Sequence, residues 1–341
     1  MVSPLEFTIS AHLRGCDQAH VEEAIYGHSD ARRIAAALDD LCRHELGAPV
    51  EDALFHQSSI GAVTGVRLAD GRKVVIKAHQ PDWSRDQLCA VLRLQQHVAS
   101  ACGLAPEVLA GPVPLGRGFA VLEALAGRGV VRDAHQPRVR RTQAGTLHRL
   151  VSCLEQFTSR SGLKPHVLTP LPGRLWPAPH SRLFDFDATT HGAEYIDRIA
   201  RAARPLLEDE GRMVIAHGDW RIEHLRFEGD EPVAIFDWDS LCVMSEPRML
   251  GVAAHMFCAD WSRDDIAQAP TLDEARAFVA DYEAARGLEF TAAERRTCGA
   301  AFAYGVAYTA RCGHASGVDI RERPGNHQHL IAIHGMQLLE L

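Results

Sequence analysis

At 341 residues, with 46% hydrophobic and 23% charged positions, the chain is long enough for two domains and has the composition of a soluble globular enzyme. A formal net charge of −8 excludes nucleic acid as the main partner, since phosphate backbones are bound by concentrated Lys and Arg. The densest basic run, Arg138-Val139-Arg140-Arg141, is brief and reads as the solvated start of a helix. Nine cysteines without CxxC spacing point to reduced thiols rather than a disulfide framework or a cysteine zinc site. The opening MVSPLEFTIS lacks the basic segment and apolar core of a secretory signal, so a cytoplasmic location is expected.

Residues Cys16 to Leu46 carry apolar positions at three-to-four spacing (Val21, Ala24, Ile25, then Ile34, Ala35, Leu38, Leu41), which predicts helices. They break at Gly27-His28-Ser29-Asp30, with Ser29 or Asp30 as the second helix's N-cap, and are expected to form a non-catalytic lid on the sheet that follows. From Ala53 to Ala78 come three short strands, ALFHQSSI, AVTGVRLA and KVVIKA, joined by Ser58-Ser59-Ile60-Gly61 and by Asp70-Gly71, the latter a strong hairpin signal. The third strand carries Lys77. A helix is predicted from Asp82 or Ser84 to Ala101, with no Glu between Asp82 and Cys102. Two further strands, EVLAGPV and GFAVLEAL, complete a five-stranded antiparallel sheet. Helical spacing returns from Pro137 to Phe157; Ser159 to Pro179, rich in Pro and Gly, reads as a surface excursion, and a helix from Ala193 to Glu208 follows.

The stretch VIAHGDWRIEHLRFEGDEPVAIFDWD, Val214 to Asp239, is the informative one. It predicts a strand (Val214–Ala216), a polar loop (His217–His224), a short strand (Leu225–Phe227), a turn, and a last strand (Val233–Phe236). Asp219 stands in the loop and Asp237 follows the apolar run, so two carboxylates are expected at the ends of adjacent buried strands. Phosphoryl transfer asks for such a pair, one acid to orient the attacking hydroxyl and one to hold magnesium on the phosphates. HGD alone arises by chance, but strand, loop, hairpin and second Asp arrive together. Beyond Asp239 the pattern is helical: Glu246 to Asp260, Thr271 to Arg286, Thr291 to Arg311 and Gly325 to Leu341, with capping boxes at Thr271/Glu274 and Thr291/Glu294. The longest apolar stretch, Gly299 to Ala310, falls short of the roughly 20 residues a membrane helix needs and reads as a buried core helix. His327, His329 and His334 lack a partner carboxylate and read as surface and core histidines.

His217-Gly218-Asp219, His224 and the Phe236-Asp237-Trp238 that follows resemble the aminoglycoside phosphotransferase and choline-kinase-like family, whose loop reads HGDxxxxN and whose metal Asp sits in a similar DW context. The resemblance implies an α+β, bilobal, protein-kinase-like fold: a small antiparallel-sheet N-lobe over residues 1–124, a larger helical C-lobe over 125–341, and ATP or GTP with Mg2+ between them. It implies transfer of the γ-phosphate to a hydroxyl of a small molecule, an aminoglycoside- or macrolide-like antibiotic among them. By the same resemblance Asp219 is the catalytic base or hydroxyl-orienting group, His217 holds or assists it, Asp237 is the principal magnesium ligand, and Lys77 clamps the nucleotide phosphates. The loop with Ser59 and Gly61 covers the nucleotide, and the backbone of Glu123 and Leu125 forms the adenine hinge. Trp220, Arg221, Asp239, Asp260 and Trp261 are candidate substrate contacts.

Two departures bear on activity. His224 occupies the Asn position, as a second, atypical metal ligand or a hydrogen-bond donor to phosphate, where magnesium prefers oxygen, although macrolide phosphotransferases are similar there with HGDxxxxH. The helix that supplies a Glu to brace the lysine has Arg93, Gln95 and Gln96 instead, so either a Gln amide accepts from Lys77 or the brace is missing. A catalytically impaired pseudokinase or nucleotide-binding regulator is the alternative reading. A metal-dependent hydrolase using Asp219, His224 and Asp237 is a third, and leaves Lys77 unexplained.

Overall fold

The computed structural model describes residues 2–15, 19–127, 129–160, 162–181, 183–207 and 211–341. Cys16 and Glu208, where two of the expected helices begin and end, lie outside the described residues. The chain divides into two compact units, Met1–Gly127 and Arg128–Leu341.

In the first unit, helices α1 (Pro4–Gly15), α2 (His20–Tyr26) and α3 (Ala31–Leu46) precede strands β1 (Val50–Ser58), β2 (Ala62–Leu68) and β3 (Lys73–His79). Helix α4 (Arg85–Cys102) and strands β4 (Val108–Leu115) and β5 (Gly118–Ala124) follow, giving an antiparallel sheet of order β1-β2-β3-β5-β4. The local signals act as read. The Asp30 side chain caps α3 by accepting from the Arg33 N–H, and Gly71 takes a left-handed φ of 88° that an L-residue would find costly in the β2–β3 hairpin. Alternation then sorts the sheet. Val66, Val74, Ile76, Ala120 and Leu122 pack with Ile9, Ile25, Ile34 and Leu38 of α1–α3, so these helices cover one face as an apolar layer. Val75, Lys77, Val121 and Glu123 occupy the alternate positions, which belong to the face where Gln95 of α4 reaches Glu123.

The second unit contains helices α5 (Pro137–Leu154) and α6 (Glu194–Ala203), then strands β6 (Met213–His217), β7 (Leu225–Glu228), β8 (Glu231–Ile235) and β9 (Leu241–Ser245). Helices α7 (Glu246–Ala254), α8 (Leu272–Arg286), α9 (Ala292–Ala315) and α10 (His327–His334) complete it. The strand β9 is absent from the sequence reading, and α7 and α10 are shorter than expected. Both predicted capping boxes form. Helix α9 is buried along most of its length, and its small residues permit close crossings: a Cβ on Gly251 of α7 would run into the Cys298 carbonyl of α9. Arg140, expected in solvent, is buried and pairs with Asp281 at 2.9 Å. No helix among the described residues is long and apolar enough to cross a membrane, and every described cysteine is free.

Candidate active site

Strand β6 pairs with β9, His217 facing Leu241, while β7 pairs with β8 and, through Phe227, bridges to Val130. Asp219 and Asp237 therefore do not leave adjacent paired strands. They stand at the two ends of an excursion that the β6–β9 pair closes, a purse-string arrangement that fixes both ends at once. His217 is buried and donates its Nε2–H to the Phe236 carbonyl at 2.8 Å, with Ser240 Oγ 3.1 Å from its Nδ1. Ser240 in turn donates to the Asp237 carbonyl (2.8 Å) and its own carbonyl receives the Gly218 N–H (3.1 Å). The ring of His217 thus ties the two acidic segments together.

Gly218 is needed at its position, because a Cβ there would lie 2.8 Å from the Ser240 carbonyl oxygen and 2.5 Å from His166. His166 belongs to the Pro/Gly-rich segment read as a surface excursion, yet it is buried. It donates Nε2–H to the Gly218 carbonyl (3.0 Å) and accepts the Leu168 N–H at Nδ1 (3.3 Å), the pattern of a neutral ring; burial pushes its pKa down to about 4. Composition concealed this residue, since a lone His among prolines carries no periodic signal.

The charges converge on Asp219. Arg221 donates from Nη2 to Asp219 Oδ2 at 2.7 Å and pairs through Nη1 with Glu223. Burial by itself would raise the Asp219 pKa, but the Arg221 charge and its hydrogen bond outweigh it and hold the carboxyl below its ordinary range. Asp219 is consequently ionised at neutral pH, a firm hydrogen-bond acceptor and a weak base. His224 donates Nδ1–H to the Asp219 carbonyl at 2.9 Å, and its Nε2 accepts from Arg221 at 3.1 Å. Burial lowers its pKa to about 4, so this imidazole is neutral. Asp237 adopts a left-handed conformation (φ 62°, ψ 48°), the one non-glycine residue at positive φ among the described residues. Asp tolerates that region better than most residues, and a strained backbone at such a place accompanies function more often than not. Ligand atoms of Asp219, His224 and Asp237 lie within 4.8 Å of one another, close enough to share one cation.

In the first unit Lys77 has its brace, and it is neither of the two options left by the sequence. Lys77 Nζ lies 3.4 Å from Glu123 Oε1, and Gln95 on α4 donates to that same oxygen at 3.0 Å and to the Pro106 carbonyl at 3.1 Å. Lys77 pairs with Val121 across the sheet, so Glu123, two residues on, is its diagonal neighbour on the same face. Glu123 is buried within β5 and presents a side chain rather than a hinge backbone. The Leu125 N–H, expected to serve adenine, is already donated to the Lys73 carbonyl at 3.0 Å. In the β1–β2 loop the Ser59 N–H donates to the Gly61 carbonyl (3.0 Å), and a Cβ on Gly61 would lie 2.9 Å from the Ala78 carbonyl oxygen, so Gly61 lets the loop press onto β3.

The remaining candidates separate by burial. Trp220 is fully buried and Asp260 is buried with its carboxylate accepting from the Ser262 N–H at 3.1 Å, so neither is placed to meet a substrate. Trp261 is 49% exposed, its N–H held by Glu223 at 2.6 Å. Asp239 lies in the turn Trp238–Ser240. His180, missed in the sequence, is within electrostatic reach of Asp219 and Arg221 and bonds the Tyr308 hydroxyl at 2.8 Å.

The family model described as "Phosphotransferase enzyme family" (APH) matches residues 63–293, more than half of the chain. No curated protein matches the chain in sequence. Among solved structures, the chain is similar to macrolide 2'-phosphotransferase MphH from Brachybacterium faecium (16% identity, TM-score 0.52, covering 89% of this chain and 97% of that one). It is similar also to the amicoumacin kinase hAmiN, solved with AMP-PNP, Ca2+ and Ami (11% identity, TM-score 0.55, 90% and 95% covered). A macrolide 2'-phosphotransferase type I shares the fold at 15% identity, with a TM-score of 0.50 and 85% and 93% covered. The fold is accordingly protein-kinase-like, and the chain is a small-molecule kinase belonging to the phosphotransferase enzyme family.

Proposed function

We propose that this kinase transfers the γ-phosphoryl group of ATP to a hydroxyl of a small antibiotic-like molecule, a macrolide being the first class to test. The observation that carries the reading is the Asp219–His224–Asp237 constellation, with Asp219 kept ionised by Arg221. Asp219 orients the acceptor hydroxyl and receives its proton as the phosphoryl group moves. Arg221, on the same carboxylate, is placed to compensate charge on the transferred group, and positioning with charge stabilisation is most of what this chemistry requires.

Asp237 would supply the oxygen donor Mg2+ favours, and His224, its Nε2 3.1 Å from Arg221, would add a neutral imidazole. The divalent cation, when bound, neutralises phosphate charge. In the first unit Lys77, held by Glu123, is the clamp for the nucleotide phosphates. His217 is a positioning residue, its ring given to Phe236. The macrolide assignment is supported by His224 in the HGDxxxxH loop.

The test is phosphate transfer from ATP or GTP to macrolides and aminoglycosides, in wild type and Asp219→Ala. The variant should bind nucleotide and lose turnover. A nucleotide-binding regulator is the second reading, favoured by His224 having both nitrogens engaged within the loop. Equal and negligible transfer by both proteins, with nucleotide bound, would establish it instead.

A further inference from the structure

On the sheet face opposite Lys77, three side chains that the kinase reading does not use converge beneath α1 and α2. His12 of α1, Glu22 of α2 and His56 of β1 offer ligand atoms that lie within 4.8 Å of one another. Glu22 is 1% exposed and His56 5% exposed. Glu22 Oε1 is 3.5 Å from His56 Nε2 and 3.7 Å from His12 Nε2. Glu22 Oε1 and His56 Nε2 are both shut off from solvent and meet each other only at 3.5 Å, beyond the distance of a good hydrogen bond. A carboxylate oxygen left this way in an apolar layer is costly, and the layer here is built of Ile9, Val21, Ile25 and Ile34.

We propose that His12 Nε2, Glu22 Oε1 and His56 Nε2 bind a divalent transition-metal ion of the zinc class, which pins α1 and α2 to β1. Metal–nitrogen and metal–oxygen bonds of about 2.0–2.2 Å put tetrahedral ligands about 3.3–3.6 Å apart, and the two spacings to Glu22 Oε1 are close to that range. Two imidazoles and one carboxylate form a borderline donor set that suits zinc over magnesium or calcium. The outer partners fit as well. His56 Nδ1 lies 2.8 Å from Thr64 Oγ1, and donation from Nδ1–H to that hydroxyl turns the Nε2 lone pair toward Glu22. Ser58 Oγ lies 2.8 Å from His12 Nε2, a hydrogen bond that the ion would replace, and a water would complete the shell. Of the three, only Glu22 lies in the Cys16 to Leu46 stretch read as a lid without chemistry; His12 and His56 stand 44 positions apart in the numbering and show no ligand spacing in sequence.

The experiment uses the full chain carrying Asp237→Asn, so that the Asp219 group does not compete for the ion. After dialysis against Zn2+ or Co2+, bound metal is counted by elemental analysis, the Co2+ form is examined for the visible bands of four-coordinate geometry, and Tm is measured with and without chelator. Retention of about one equivalent, four-coordinate Co2+ bands and a chelator-sensitive rise in Tm are expected. Glu22→Gln and His56→Gln should abolish all three. His12→Gln, on the part-exposed helix α1, keeps the test decisive if the buried variants fail to fold, and should weaken retention at least tenfold. Retention below about a tenth of an equivalent, or uptake that is the same in His12→Gln, would overturn the proposal and leave Glu22 facing His56 at 3.5 Å without an ion.

Discussion

The brace on Lys77 is the residue-scale feature with the clearest consequence. Helix α4 carries no Glu, but Gln95 stands on it and donates to Glu123, which faces Lys77 from the neighbouring strand. The acid has moved from helix to sheet while the helix still steadies it. A charge-assisted contact of this kind is worth about 1.5–3 kcal/mol, so Glu123→Gln should weaken nucleotide binding roughly tenfold or more and leave the secondary structure unchanged. Calorimetric titration with ATP checks this, and unaltered affinity would remove Glu123 from the clamp. Asp237 allows a finer separation. Asn also tolerates the left-handed region, whereas Ala there costs about 1–2 kcal/mol. Asp237→Asn should keep near-native stability in urea and Asp237→Ala should lose about 1 kcal/mol, while both lose metal-dependent nucleotide binding. Equal stabilities would show that the backbone at Asp237 is not strained.

At the scale of elements, the parts legible in the sequence were those with a local physical cause. The hairpin at Asp70-Gly71, the Asp30 cap, and the boxes at Thr271 and Thr291 each depend on residues within a few positions, and each forms. The HGD loop and Asp237 were legible as a motif because the chemistry fixes residue type and spacing. Strand β9 was not, since Leu241–Ser245 is a run of five residues whose strand character comes from pairing with β6. The side-chain role of Glu123 was hidden for a related reason: the resemblance assigned only its backbone, to the hinge, and register decides which side chain meets Lys77. His166 shows the same limit, for its partner Gly218 is 52 positions away. Removing that ring should cost about 2 kcal/mol, combining a cavity with a Gly218 carbonyl left without its partner. His166→Ala should therefore lower the urea midpoint and, by loosening the loop at Asp219, reduce kcat more than it raises the acceptor KM. A stability loss with unchanged kcat would confine His166 to packing.

Across the whole molecule the histidines set opposing limits on pH. His166, His224 and His327 are pushed down to about 4 and His255 to about 3, burial being the first cause in each. The folded chain keeps them neutral while the unfolded chain takes up protons from near pH 6.5, so stability falls as pH drops from about 6.5 toward 4, by up to about 1.4 kcal/mol per pH unit for each ring. His135 works the other way. The Cys258 sulfur and the Glu274 carboxylate, the latter at 2.9 Å, outweigh burial and raise it to about 11. Its stabilisation is complete below its unfolded value of about 6.5 and is lost as pH rises toward 11. Denaturation midpoints should peak near neutrality; His135→Gln should flatten the alkaline limb and leave the acid limb as it is. An alkaline limb equally steep in that variant would contradict the assignment.

In the proposed reaction Asp237 and its neighbours hold a metal for nucleotide chemistry. Calorimetric titration of ATP into wild type and Asp237→Asn, with Mg2+, with Mn2+ and with chelator, tests it most directly. Binding is expected to require the divalent ion in wild type and to weaken at least tenfold in Asp237→Asn. Binding that is absent under every metal, or indifferent to Asp237, would contradict it.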